Sequence, residues 1–175
     1  MVFLNDELRA ILGGSFAIRT TMTRRRSGTP RTMETTFHWD GKERVYLSGH
    51  PGRRDWVANM AQHPHVTLHT AEPSASGLWY DIPATARVLR DRAVRMPHLL
   101  GFIERFTQWP GSGMRWLRLV VKLMRWNHQL RLPWWGPLYL ARRVLDQMPC
   151  VELTLTGEPV ARSRVAALSE PRGGR

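Results

Sequence analysis

The sequence predicts a mainly β protein of the α+β class: a small antiparallel barrel with a helical subdomain inserted before its last strand. Three observations predict it. Between residues 15 and 89, β-branched and aromatic runs alternate with Gly, Pro and Asp-Gly punctuation, the pattern of hairpins. From about Asp91 to Gln147 the apolar spacing changes to a helical period. Cys150–Thr156 (CVELTLT) then returns to strict alternation. A parallel sheet needs a crossover helix between its strands, and a single short helical segment interrupts the first five.

Each element follows from local chemistry. Asn5 caps a first helix with Asp6 and Glu7 in its first turn, and Gly13-Gly14 stops it. Ser15–Thr23 and Arg31–Trp39 are strands joined by the turn RRRSGTP, with Gly28 and Pro30 as breakers. Asp40-Gly41 is the strongest hairpin signal and leads into Arg44–Ser48. A Gly/Pro loop opens a short helix from about Arg53 to Gln62, with Trp56, Val57 and Met60 inward and Pro64 beyond its end. Val66–Thr70 and Leu78–Leu89 are the next strands, and Pro83 places the second at an edge or a bulge. Pro110-Gly111 and Pro133–Pro137 break the helical block. The domain therefore runs 1–158 with its insertion at about 91–147, and 159–175 reads as a polar, frayed tail.

Composition narrows the partners. With 175 residues and 42% hydrophobic side chains, the chain supports one core and is not a disordered one. Basic residues outnumber acidic ones 26 to 14, and only Lys42 and Lys122 are lysines. Arginine's planar fork matches phosphate and carboxylate bidentately, so nucleic acid, a phosphorylated cofactor and an anionic membrane all qualify. The single cysteine, Cys150, excludes an internal disulfide framework and fits a reducing compartment. No signal-peptide pattern is read at the N-terminus, and no uncharged apolar run is long enough to span a bilayer.

Four stretches are candidates for chemistry. The turn 23–31 places Arg24, Arg25, Arg26 and Arg31 with Ser27 and Thr29 around Gly28, an array suited to phosphate but equally to a solvated basic turn. The segment 48–59 joins Ser48, Gly49, His50, Arg53, Arg54, Trp56 and Asn59 at a strand-to-helix junction, where backbone N–H groups face either a flat ring or nothing more than the connection. His63, His65 and His69 lack a carboxylate or cysteine at ligand spacing and read as surface histidines, so no metal is expected. In the helical block, Arg115, Arg118, Lys122 and Arg125 form a basic stripe, and the remaining Trp, Leu, Val and Met face suits core packing, a dimer contact or an anionic membrane surface. No hydrolytic triad, carboxylate pair, Walker loop or GxGxxG is present, so catalysis belongs to a bound cofactor.

The ordered motifs TRRRSGTPR, DG, a strand ending in Ser-Gly, GRRDWVANMAQHPHVTLH, YDIPATARVLRD and LDQMPCVELTL resemble the deazaflavin (F420)-dependent nitroreductase family. The resemblance covers about Phe16–Arg92 and Leu145–Thr156. It implies a split β-barrel of the FMN-binding, pyridoxamine-phosphate-oxidase-like kind, binding coenzyme F420, with FMN as the alternative. It implies that Arg25, Arg26, Ser27, Thr29 and Arg31 grip the phosphate and acidic tail, with Arg53 and Arg54 also on the cofactor. Ser48, Gly49 and His50 would line the ring, Trp56 would pack the helix on the barrel and contribute to the site, and Asn59 would tie down the ring-binding loop. Ser48 or the nearby backbone would donate a hydrogen bond to the accepting oxygen, and Tyr139 or His50 would deliver a proton.

The C-terminal segment departs from the family: it is longer and richer in Trp and Arg, Tyr139 stands beside Trp134 and Trp135, and about 99–138 has no counterpart. The expected function is hydride transfer from reduced deazaflavin to a lipophilic acceptor, a quinone, enone or nitro compound. The chain is expected to be a homodimer in the cytoplasm, meeting the inner face of the cell membrane. Rival readings are an FMN-dependent oxidoreductase of the same fold and a non-catalytic carrier of flavin, haem or lipid. A nucleic-acid binder fits the charge, but no recognised motif supports it.

Overall fold

A computed structural model describes residues 4–49, 52, 54–107 and 115–169. The chain order is α1 (Asp6–Gly14), β1 (Ala17–Thr23), β2 (Pro30–Trp39), β3 (Arg44–Leu47), α2 (Asp55–Gln62), β4 (His65–Thr70) and β5 (Trp79–Val88), followed by α3 (Arg92–Phe106), α4 (Arg115–Gln129), α5 (Gly136–Gln147), β6 (Val151–Leu155) and β7 (Val160–Arg162). The strands run in the order β4-β1-β2-β3-β6-β5, and β4 also pairs with β5. Six antiparallel strands thus close into a barrel, and the helical block sits between β5 and β6 as expected.

Alternation builds two cores. In β6, Val151, Leu153 and Leu155 point into the barrel with Phe37, Val45, Leu47, Leu68 and Ile82. The opposite faces of β3 and β6 carry Tyr46 and Glu152, and these are buried as well, because α3 and its neighbours cover that side. Met96, Leu99, Leu100, Val121, Met124, Leu145 and Cys150 form this second core. Burial pushes the Cys150 thiol up to about 12, so it stays neutral. Glu152 is held by Arg44 at 3.4 Å, Arg87 at 2.9 Å and the Tyr46 hydroxyl at 3.3 Å, which meets the need of a buried carboxylate for partners.

Pro83 lies inside β5, opposite Thr67 of β4. Its carbonyl accepts from Thr156 N at 2.9 Å, so its missing N–H faces the same side, at the gap where β6 has ended and β7 has not begun. The ladder tolerates proline there.

The C-terminal segment departs from expectation. Val160–Arg162 pair with Trp79–Asp81, and beyond them Ser169 N donates to Thr32 O at 3.1 Å, while Thr32 N donates to Ser169 Oγ at 2.7 Å. Arg19 and Ala166 O are also hydrogen-bonded, at 2.5 Å. Residues 160–169 therefore lie along the barrel wall. Polar composition concealed this because the segment is held by backbone bonds and contributes no apolar side chain to the core. Among the described residues, no helix is long and apolar enough to cross a membrane.

Helix α3 docks on β2 through a close approach. A Cβ at Gly101 would lie 2.7 Å from His38 Nε2, so only glycine fits. His98, one turn earlier, stacks on Tyr46 at 3.7 Å between ring centroids. Burial holds both His38 and His98 below the usual histidine range; for His38 the neighbouring His98 and Arg105 add to the effect. At neutral pH both folded and unfolded states leave these rings neutral. As pH falls through about 6.5 the unfolded chain protonates first, so stability declines until the pH drops below the folded values. The docking of α3 should therefore weaken between pH 7.5 and 5.5, before carboxylates titrate. The check is amide exchange across α3 at the two pH values, in the wild type and in His38→Gln and His98→Gln. An equal pH response in all three proteins would refute the assignment.

Candidate functional site

Three sequence-distant pieces meet at one end of the barrel. The register explains the meeting: Leu47 of β3 and Val88 of β5 both pair with Val151 of β6. The next residues outward, Ser48, Leu89–Arg90 and Pro149–Cys150, must therefore converge. Helix α2 and the β1–β2 turn close the same end. Together they bound a cavity of about 990 Å³, whose lining includes Arg25, Arg31, Ser48, Gly49, Arg54 and Trp56. Sequence reasoning had singled out all six.

The basic turn is well defined. Arg24 N donates to Thr29 O and Gly28 N to Arg24 O, each at 2.9 Å, with Gly28 at φ 67°, a conformation that favours glycine. Arg25 N donates to the Asn59 side-chain oxygen at 3.2 Å. Asn59 is buried on α2, so its amide ties the basic turn to the helix. The expected tie to the loop after β3 involves His50, Pro51 and Arg53, which lie outside the described residues. Arg26, Ser27 and Thr29 are exposed and do not line the cavity; the Ser27 and Thr29 hydroxyls bond each other at 2.8 Å.

Ser48 is buried, and its hydroxyl donates to Pro149 O at 2.7 Å, while Thr35 Oγ1 donates to Ser48 O at 3.2 Å. The Ser48 hydroxyl thus joins β3 to the segment before β6, while Ser48 also lines the cavity. Gly52 N donates to Gln147 O at 3.1 Å, which fixes the rim of the cavity to the end of α5. Tyr139 is exposed on α5 and is not among the lining residues, because the cavity meets only the other end of that helix. His50 and Arg53 lie outside the described residues. Trp56 packs against the barrel core and also forms cavity wall.

Sequence reasoning missed Thr35, Val57, Val88, Arg90 and Pro149 as cavity residues. Arg90 is the important omission: it lies in the YDIPATARVLRD stretch with nothing local to mark it as a site residue, and only the shared pairing to Val151 brings it beside the turn. The lining holds four guanidinium groups, Arg25, Arg31, Arg54 and Arg90, against one carboxylate, Asp55. Arg25 and Asp55 approach at 3.8 Å. Arg31 and Arg90 have no ion-pair partner among the described residues. The rest of the lining includes apolar surface, from Trp56, Val57, Ala58, Ala61 and Val88. An anionic group with a flat apolar body suits such walls.

The histidines divide. Among the described residues, no group of three or more His, Cys, Asp or Glu is placed to hold a metal. His69 is buried, which corrects its reading as a surface residue: Nε2 lies 2.7 Å from Thr21 Oγ1 and Nδ1 lies 2.6 Å from Asp81 Oδ1. Arg162 of β7 donates to Asp81 Oδ2 at 3.0 Å. This network fastens the C-terminal strand to the barrel.

No protein-family profile matches the sequence, and no characterised protein matches it significantly. Solved structures do resemble the fold. A Listeria innocua protein classed with the pyridoxamine 5'-phosphate oxidases is 13% identical, with a TM-score of 0.55 over 91% of this chain and 98% of that one. An F420 reductase is 14% identical, with a TM-score of 0.52 over 92% and 100%. The haem storage protein HutZ from Vibrio cholerae is 12% identical, with a TM-score of 0.57 over 90% and 93%. The chain is a split β-barrel of the pyridoxamine-phosphate-oxidase-like kind.

The Asn59 tether makes a prediction. Asn59→Ala leaves a backbone N–H of the basic turn without its acceptor and should cost about 1–2 kcal/mol. Asn59→Asp, which keeps an acceptor oxygen, should recover most of it. Urea denaturation measures the loss, and faster exchange of the Arg25 amide locates it. Wild-type stability and protection in Asn59→Ala would rule the tether out.

Proposed function

We infer that this protein is an oxidoreductase that binds a phosphorylated flavin-type cofactor, coenzyme F420 in the first instance, and passes a hydride to a lipophilic acceptor. The observation that carries the reading is the cavity whose described lining combines four arginines with Trp56 and small apolar residues. When bound, a deazaflavin supplies the hydride chemistry itself. Arg25, Arg31, Arg54 and Arg90 would hold its phosphate and acidic tail through forked, charge-assisted hydrogen bonds. Trp56 and Val57 would give the ring an apolar surface and keep water from it, while Gly49 lets a flat group approach the backbone. Ser48 and Thr35 would hold the strand end in place.

The motif order seen in the sequence and the likeness in fold to an F420 reductase support this choice over FMN. The likeness to a haem storage protein supports a carrier instead. Among the described residues, however, the lining contains no histidine, cysteine, methionine or tyrosine of the kind that ligates haem iron, and its arginines favour a phosphate. The acceptor class, a quinone, enone or nitro compound, rests on the apolar wall and on the family resemblance.

Titration of the purified protein with coenzyme F420 and with FMN tests the reading. F420 should bind at micromolar concentration or tighter, and Arg31→Ala or Arg90→Ala should each weaken it at least tenfold, about 1.4 kcal/mol. Reduced F420 should then be oxidised by menadione. A preference for FMN would move the enzyme to the flavin branch; binding of neither would overturn the oxidoreductase reading.

A further inference from the structure

Helix α4 carries two separate apolar faces. At about 100° per residue, Val120, Val121 and Met124 share one arc, and this arc is packed in the second core. Trp116, Leu119, Leu123 and Trp126 share a different arc, and Leu130 follows it just past the helix end. These are exposed: both tryptophans are 66% accessible, Leu119 63% and Leu130 67%. The loop beyond and α5 add Leu132, Trp135, Leu140 and Val144, all exposed. A surface this rich in large apolar side chains marks an interaction site.

Arg118, Lys122 and Arg125 lie along the side of α4 that borders the exposed apolar arc. Arg118 reaches the Thr107 carbonyl at 3.2 Å, and Arg125 pairs with Glu104, so both are held in position. Residues 115–145 contain seven basic side chains and no acidic one. A second copy of the chain docking on this face would set that positive charge against itself, and the neighbouring carboxylates, Glu104 and Asp146, are already paired with Arg125 and Arg142. Nucleic acid would match the charge but would leave Leu119, Leu123 and Leu130 without apolar cover. An anionic bilayer satisfies both features. Acyl chains take the leucines, the interface takes the tryptophans, and lipid phosphates take the bordering cations.

We propose that α4, with the loop after it and α5, is a docking face for an anionic lipid bilayer, lying in the interface without crossing it. The expectation of core packing holds for one of the two arcs.

Flotation of the full-length protein with vesicles tests the proposal, separately from any cofactor titration. With phosphatidylcholine vesicles containing one-quarter phosphatidylglycerol in 100 mM salt, most of the protein should float. With pure phosphatidylcholine the floated fraction should fall at least fivefold. The triple variant Trp116→Gln, Leu123→Gln, Trp126→Gln should lose at least tenfold in affinity for the anionic vesicles, and Lys122→Glu several-fold, with unchanged far-UV circular dichroism. A measurement on the wild type alone covers the case in which the triple variant fails to fold: tryptophan emission should shift to the blue on vesicle addition and be quenched by brominated acyl chains. Protein that stays in the soluble fraction with anionic vesicles overturns the proposal. So does flotation that is indifferent to the triple variant. A dimer that the triple variant converts to monomer, without vesicle binding, assigns the face to a second copy and overturns it as well. Oligonucleotide binding that the triple variant loses, without flotation, assigns the face to nucleic acid with the same consequence.

Discussion

The pairing of β3 with β6 is the constraint on which the rest of the molecule depends. β3 is four residues long, and on its own it would leave one edge of unpaired backbone groups. β6 reaches it only after the whole helical block. Closing so long an excursion is entropically unfavourable, though the cost grows only slowly with its length. Burial offsets it on both sides of the strand pair: Val45, Leu47, Val151 and Leu153 inside the barrel, and Tyr46 and Glu152 beneath α3. The same register sets Ser48 against Pro149 and draws Arg90 to the barrel end that holds the basic turn. Barrel closure, the second core and the cavity are therefore three consequences of one strand pairing.

The cavity combines a fixed frame with movable charge. Ser48, Thr35 and Asn59 are committed to hydrogen bonds that hold the strand end and the turn. The charges themselves sit on arginine side chains, whose stems can adjust. A frame of this kind lowers the ordering cost of binding, while the guanidinium forks adapt to an anion of variable length. Glu152 shows the opposite use of arginine. There Arg44 and Arg87 are anchored to a buried carboxylate, and removing either would leave that carboxylate with one cation fewer in a poorly solvated place.

Elements with a local cause were legible in the sequence. Asn5 does cap α1, accepting from Leu8 N at 2.8 Å, the six barrel strands fall where alternation and breakers place them, and α4 and α5 are separated at Pro133–Pro137 as expected, while Pro110-Gly111 lies outside the described residues. What escaped depends on contacts between distant segments. β7 is three residues with no apolar pattern, visible only once Asp81 and Arg162 are adjacent. His69 looks like a surface residue until Thr21 and Asp81 enclose it. Arg90 has no local mark of a site residue within its motif, and Tyr139, the tyrosine of the C-terminal segment, lies away from the cavity lining, which α5 meets at Gln147 through its bond to Gly52. The basic turn was readable because its arginines and its glycine are consecutive, whereas the use of Asn59 as its tether required knowing which loop α2 packs beneath.

The two apolar faces of α4 also bear on how the cavity is reached. A helix that only filled the second core would need one such face, and Val121 and Met124 already provide it. Leucine and tryptophan on the far side add nothing to folding and raise the risk of aggregation, so their presence calls for a partner outside the chain. α5 connects this surface to the cavity: Leu140 and Val144 are exposed along it, and its last residue, Gln147, holds Gly52 at the cavity rim. A helix of 12 residues is about 18 Å long. On the reading proposed above, an acceptor dissolved in lipid has about one helix length to travel to the cavity. That short path would favour lipophilic acceptors even if the cavity walls made no distinction among them.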